Sequence, residues 1–396
     1  MIQARACGSG YRQLRGATAI ALGLSCLWTV VATGAEAVVE LNVFPRRVSL
    51  THRRDAQRLL VQARLADGRT RDVTDLAEWR LADETHVQLR SHALRPLADG
   101  KTTLDVGYAG RRLSVPVTVS GAQADLPISF SRDVMPVFLR AGCNSGSCHG
   151  ASRGQRGFRL SVFGFDPDGD YHRLTREFVG RRINLAVPGQ SLLLLKPTEQ
   201  VSHDGGERFA IDSELYHRLL EWLEEGALRD VGEVPQPVAL DVYPPEVVLD
   251  GGAQRFIARA RYSDGTDRDV TPLTVFSSSN PTAATIAADG ILTAGKRGES
   301  LVLARFDTFS VGVPVIVVPP EGAFHWPDVS ARNYIDQLVQ TKLRKLRVLP
   351  SPVCDDQTFL RRVTIDTVGL LPTRSEYRDF LADGDPNKRR QLVERL

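Results

Sequence analysis

The segment ARLADGRTRDVT at 63–74 returns as ARYSDGTDRDVT at 260–271, and Gln57-Arg58 returns as Gln254-Arg255, all at one offset of 197 residues. A chain that repeats itself at a fixed distance folds one unit twice, so any reading of the rest must leave room for two copies. Each copy opens on an apolar run closed by proline, LNVFP at 41–45 and LDVYP at 240–244, and continues through the alternating RLLVQARL and RFIARARY. Each then turns at Asp67-Gly68 or Asp264-Gly265 and ends on a valine-rich run, LSVPVTVS at 113–120 or VGVPVIVV at 311–318. Period-two alternation broken by Asp-Gly turns gives short antiparallel strands. At roughly 80 residues per copy this predicts two β-sandwiches, over 38–120 and 238–319.

The dG turn followed by rDVT, present in both copies, resembles the group 2 bacterial Ig-like domains of surface proteins. The resemblance implies Ig-like modules that space or dock. Contact with the cell surface or a polysaccharide is the partner expectation, and no particular ligand is implied.

Between the copies, over 127–230, the pattern changes to helical spacing. Phe130, Val134, Phe138 and Leu139 precede the heptad CNSGSCH at 143–149, with Ser131 as the expected N-cap and Pro136 near the first turn. SELYHRLLEWLEEGA at 213–227 offers a Ser213 cap, the stripe Leu215, Leu219, Trp222 and Leu223, and Gly226 as a stop. A c-type haem needs two thiols for thioether bonds and an imidazole beneath the iron, hence C-x-x-C-H. Here four small residues, Asn144 to Ser147, stand between the cysteines and are expected to bulge outward. A surface disulfide is sterically open to the pair but leaves the adjacent histidine without a role. A zinc site wants a second ligand pair, which this segment does not offer.

The same segment resembles the cytochrome c-like domain of large planctomycete-type exported surface proteins. The resemblance runs through CNSGSCHG, GFRLSVFGFDP at 157–167, Asp170-Tyr171, the GRR at 180–182, PGQSLLLLKPT at 188–198 and HDGGERF at 203–209, with Asp204 where a glycine is usual. It implies an all-α cytochrome c-like domain holding one covalent haem c on Cys143 and Cys148, with His149 as the proximal iron ligand. The chain has only Met1 and Met135, and Met135 lies on the entering helix, so His203, followed by two glycines, is the candidate distal ligand. His172 and His217 are weaker candidates, and Arg181, Arg182 and Arg208 are candidate propionate partners.

The N-terminus carries Arg5, Arg12 and Arg15, then the uncharged ATAIALGLSCLWTVVAT at 17–33, then TGAEA. This is the order of a secretory signal over 1–35, so the membrane is met only in transit and the expected place is the periplasm or the cell surface. With 50 Lys and Arg against 47 Asp and Glu, the formal charge is +3; loss of the three signal arginines brings it to 0. Nucleic-acid binding therefore has no electrostatic support. Loss of Cys7 and Cys26 leaves Cys143, Cys148 and Cys354, too few for a disulfide scaffold.

The stretch 328–396 turns helical. NYIDQLVQTKL, FLRRVTIDTVGLLPT and FLADGDP resemble the start of the helical domain of unknown function that follows the cytochrome module in the same surface proteins. Thr373 to Glu376 reads as a capping box, and Asp385-Pro386 as the start of the last helix. Cys354, Asp355, Asp356 and Asp366 read as a buried thiol, caps and solvated charge. No catalytic residue emerges, so enzymatic activity stays open.

The expectation is thus a multidomain chain of two Ig-like β-sandwiches flanking an all-α cytochrome c-like domain, then a partial helical domain. The expected function is electron transfer through a single covalent haem, with a redox partner that the sequence does not identify. The alternative is a non-haem surface adhesion or scaffold protein with a Cys143–Cys148 disulfide, or a haem-accepting subunit of a larger oxidoreductase.

Overall fold

Asp72 and Asp269, the aspartates of the two DVT motifs, each organise a turn in the same way. In the computed structural model, which describes residues 37–319 and 324–396, Asp72 Oδ1 accepts the Thr74 N–H at 3.0 Å and Asp269 Oδ1 accepts the Thr271 N–H at 2.9 Å. The threonine hydroxyls in turn accept the N–H of Val61 at 3.0 Å and of Ala258 at 2.9 Å, fixing the turn to the preceding strand. These side chains satisfy backbone donors that the turn would otherwise leave buried and unpaired, which is why the motif recurs. The signal segment over 1–35, with Met1, Cys7 and Cys26, lies outside the described residues.

The two β modules have one topology. In the first, Val38–Phe44, Leu60–Leu65 and Thr70–Asp72 form one sheet in that order; Val48–Leu50, Arg111–Val119, Gly100–Tyr108 and Glu78–Leu81 form another. A small third sheet runs Gln57–Arg58, Ala93–Pro96, Val87–Arg90. The second module repeats all three, with Pro237–Tyr243, Ile257–Tyr262 and Asp267–Asp269 in its first sheet and Val247–Leu249, Phe309–Val317, Gly298–Phe306 and Val275–Ser278 in its second. In both, the short second strand joins the last one in parallel, Val48 opposite Val117 and Val247 opposite Val315, while the long hairpins are antiparallel. Alternation along Arg111–Val119 puts Val115, Val117 and Val119 inside, where Val61, Leu104 and Val106 meet them.

The modules pack directly on each other. Phe44 and Tyr243, the aromatic residues before the two prolines, stack at 5.1 Å, and Leu60 and Ile257 close the same apolar contact. Asp269 Oδ2 accepts the Arg58 N–H at 2.8 Å, and Asp72 Oδ2 accepts the Arg255 N–H at 2.9 Å. Because Arg58 and Arg255 are repeat equivalents, as are Asp72 and Asp269, the interface is reciprocal in the manner of an isologous dimer.

The expectation of a separate all-α cytochrome c-like domain between them is corrected. Strand dominates the two modules, and residues 127–230 hold short helical pieces, among them Phe130–Val134 as a π turn, Met135–Arg140, Pro167–Thr175, Leu192–Leu195 and Glu214–Glu224. Their apolar side chains do not close a core of their own. Phe130, Phe138, Leu219 and Trp222 belong to one continuous core with Phe256, Leu292 and Phe306 of the second module. Short helices joined by long turns expose too much of their apolar stripes to stand alone; burial of Leu219, Trp222 and Leu223 contributes about 1.5–3 kcal/mol each. The first turn is also capped differently from expectation, by Ser129, whose hydroxyl accepts the Arg132 N–H at 3.1 Å, rather than by Ser131. Ser213 caps as expected, accepting the Tyr216 N–H at 3.2 Å.

At the C-terminal end, Tyr334–Lys345, Asp356–Val368, Arg374–Ala382 and Lys388–Arg395 are helical, with a small core of Leu360, Phe380 and Leu392. The Thr373–Glu376 capping box forms, and Asp355 caps its helix by accepting the Thr358 N–H at 2.7 Å. The last helix begins at Lys388 after Asn387, not at Asp385-Pro386; Asp385 instead accepts the Asn387 N–H at 2.8 Å. Among the described residues no helix is long and apolar enough to cross a membrane.

Candidate functional site

The turn CNSGSCH is wound by its own backbone. Cys143 N–H donates to Phe138 O at 2.9 Å, Cys148 N–H to Ser145 O at 3.0 Å, and His149 N–H to Cys143 O at 2.9 Å. Gly150 passes so close under Asn144 that a Cβ there would lie 2.2 Å from its carbonyl oxygen, so only glycine fits. The four residues between the cysteines do not bulge out as a whole: Asn144 is buried, and its amide, turned to donate to Phe138 O at 3.3 Å, accepts from Gly164 N at 3.1 Å. A buried amide satisfied on both sides pins the loop that composition alone marks as mobile turn.

His149 and His203 come together from opposite ends of the segment. Their rings are stacked, 6.4 Å between centroids and 14° between planes. The His149 ring is held through Nδ1 to Phe158 O at 3.0 Å, and the His203 ring through Nδ1 to Gly206 O at 2.9 Å. Each backbone acceptor fixes one ring nitrogen and leaves the other, Nε2, uncommitted. Gly205 makes room for this, since a Cβ there would sit 2.8 Å from His203 Cε1. Burial, more than the nearby His203 and arginines, lowers the His149 pKa.

Cys143 and Cys148 are free thiols, so the disulfide of the alternative reading is not formed. Burial pushes the Cys143 thiol up to about 12, keeping it neutral, while Arg208 Nη2 lies 3.7 Å from Cys148 Sγ. Arg208 is thus brought to the cysteines. Arg182 is buried and spent elsewhere, donating to the carbonyls of Arg173 at 2.9 Å and Gly157 at 3.2 Å and stacking on Phe158. His172 and His217 are exposed. Met135 is core, its Cε 3.0 Å from where a Cβ of Gly164 would be. The carbonyls of Phe158 and Gly206 that hold the two rings are not legible from the sequence, because a backbone acceptor leaves no residue-type signature.

Residues 334–396 match the PSCyt2 family, described as a protein of unknown function (DUF1549). No curated protein matches the sequence. Among solved structures, this chain is similar to the surface-layer protein SbsC, domains 1–6, at 10% identity and TM-score 0.21, over 72% of this chain and 28% of that one. It is also similar to SbsC domains 5–6 at 10% identity and TM-score 0.28, over 71% of this chain and 98% of that one.

The expectation of a c-type electron-transfer protein is corrected. The segment is not a free-standing all-α cytochrome but shares its core with the second module, and among the described residues no group of three or more His, Cys, Asp or Glu is placed to hold a metal ion.

Proposed function

We propose that this chain is an exported cell-surface scaffold, in which two Ig-like modules joined face to face form one rigid platform. The observation that carries this reading is the reciprocal contact of Arg58 with Asp269 and of Arg255 with Asp72, around the Phe44–Tyr243 stack. Two modules strung as beads would leave those aspartates in water. Here they serve their own turn with one oxygen and the other module with the second. The helical segment over 127–230 rides on the second module through the shared core and reaches the first through Arg54, which donates to Glu225 Oε1 at 2.7 Å. The division into 38–120, 127–230, 238–319 and 328–396 is part of the same proposal, as are export by the signal over 1–35 and surface contact through the Ig-like modules. An antibody raised against the exported chain should label intact cells. Labelling only after the envelope is permeabilised contradicts the reading.

The stacked histidines favour a cofactor at this scaffold's Cys-His pocket, without a redox role for the chain. The residues fit the group that the sequence resemblance implies: Cys143 and Cys148 would hold one haem c covalently, and His149 and His203 offer two imidazoles with their Nδ1 atoms already tied to carbonyls. Haem bound there would supply an iron centre, which the His149 and His203 imidazoles would hold. The exported chain, made with haem-maturation machinery and denatured, should give a pyridine haemochrome spectrum. A colourless chain removes the cofactor and leaves the scaffold reading intact.

A further inference from the structure

A cavity of about 460 Å³ opens where the Asp67-Gly68 turn of the first module meets the end of the helix Tyr334–Lys345, and Arg69, Arg344, Lys345 and Arg347 all line it. The repeat shows that Arg69 is not there for the turn. Its equivalent in the second module, 197 residues on, is Thr266. Both turns close alike through the backbone, Asp67 Oδ1 accepting the Arg69 N–H at 3.1 Å and Asp264 Oδ1 the Thr266 N–H at 2.9 Å. Cations on the last turn of a helix offset its dipole, but Arg69 comes from another element. The helix end is also served from the second module, where Arg297 donates to Arg347 O at 2.8 Å.

The carboxylates around the cavity are fewer than its cations. Asp67 Oδ2 takes Arg69 Nε at 2.6 Å and Arg347 Nη2 at 2.7 Å, Asp250 pairs with Arg69, and Glu246 pairs with Lys345. Three acids against four bases leave one positive charge, and the guanidinium without a carboxylate among the described residues is that of Arg344. It is exposed, and it lies over the Trp326 ring at 4.9 Å, which covers one of its faces and leaves its N–H edge to an incoming acceptor. Phe324 stands beside it, its ring 6.2 Å from that of Trp326, and with Val248 gives the cavity an apolar wall. One unspent charge calls for a monoanion, and a guanidinium edge matches a carboxylate. The volume, within the roughly 300–1,000 Å³ usual for small-molecule sites, calls for a ring-sized body rather than a bare ion.

We propose that this cavity binds a uronate unit of an acidic surface polysaccharide, its carboxylate taken by Arg344 and its sugar ring lying against Phe324. The source of the sugar rests on the cell-surface reading above; the site itself does not.

Galacturonate, galactose and acetate, each titrated into the full exported chain and followed by ligand-observed NMR, test this. Saturable binding of galacturonate is expected, with galactose and acetate each weaker by about tenfold or more, since one lacks the carboxylate and the other the ring. Arg344→Gln and Phe324→Ala should each weaken galacturonate, and neither replaces a residue that holds a buried partner. No saturation with galacturonate overturns the proposal. So does galactose or acetate binding as well as the acid, or wild-type affinity in both variants. Loss of binding in a chain that antibody still finds on intact cells strikes this site alone, whereas binding by a chain absent from the surface strikes the scaffold reading and the sugar's source.

Discussion

The ring of Phe44 lies against that of Tyr243, centroids 5.1 Å apart and planes 19° apart, and the two residues hold equivalent places in the two modules. An offset stack between symmetry-like positions is what self-complementary surfaces produce, and it lies beside the reciprocal arginine–aspartate pairs. Aromatic pairs contribute about 0.5–1.5 kcal/mol beyond the area they bury, and residues in contact are not additive. Phe44→Ala and Tyr243→Ala should therefore each destabilise the chain to urea, while the double variant loses less than their sum. Strict additivity would mean that the rings do not rely on each other.

Removing Asp269 should cost far more than removing Asp75. The Asp269 side chain is 1% exposed and serves both Thr271 and Arg58, whereas Asp75, which also meets an arginine of the other module, is 62% exposed. Breaking a buried pair costs about 3–5 kcal/mol, and an exposed one about 0–1 kcal/mol. Denaturant unfolding of Asp269→Ala beside Asp75→Ala reads the difference, and equal losses would contradict the placement of Asp269.

Stability should fall as the pH drops below 6.5. His52 has its pKa lowered from 6.5 to about 4 by burial and the Arg268 charge. The unfolded chain then takes up a proton that the folded chain refuses, so the contribution present above 6.5 is lost progressively toward pH 4. His52→Gln should flatten that part of the Tm–pH curve; an unchanged slope would assign the acid loss to other groups.

Cys143 should resist alkylation at pH 8 in the folded, haem-free chain, because burial holds its thiol up to about 12. Since the unfolded thiol ionises near 9.0, the same shift predicts that stability falls as pH rises from there toward 12. Peptide mapping after iodoacetamide treatment checks it, with fast modification of Cys143 as the contrary result.

Gly205→Ala should displace the His203 ring, since the new Cβ would stand 2.8 Å from its Cε1, while leaving the sandwiches intact. Steric overlap of this kind costs about 1–3 kcal/mol locally. The imidazole proton signals of His203 and His149 should both shift in the NMR spectrum; a shift of neither would separate the two rings.

The modules were legible because their signals are local: period-two alternation, Asp-Gly turns, and a DVT triplet whose aspartate and threonine bond within a few residues. So were the Ser213 cap and the Thr373–Glu376 capping box, each closed across three residues. The separate all-α domain failed because periodicity along Phe130 to Leu139 reports an apolar face, not what that face packs against. Its partner is Phe256 and its neighbours, more than a hundred residues on. Asn144 was misjudged as outward turn for the same reason, its acceptor and donor at Phe138 and Gly164 being invisible to composition. Gly205, one of the two glycines after His203, clears space for its ring. The Asp269 and Asp72 contacts escaped notice, since a residue that satisfies its own turn gives no hint of a second partner.

Spin labels carried on p-acetylphenylalanine at the exposed Lys101 and Lys296 measure the distance between the two modules directly. If the modules form one rigid platform, pulsed dipolar spectroscopy gives a single narrow distribution that broadens when Asp72 and Asp269 are both replaced by alanine. A broad distribution in the unaltered chain, as from two modules on a flexible tether, would contradict the account.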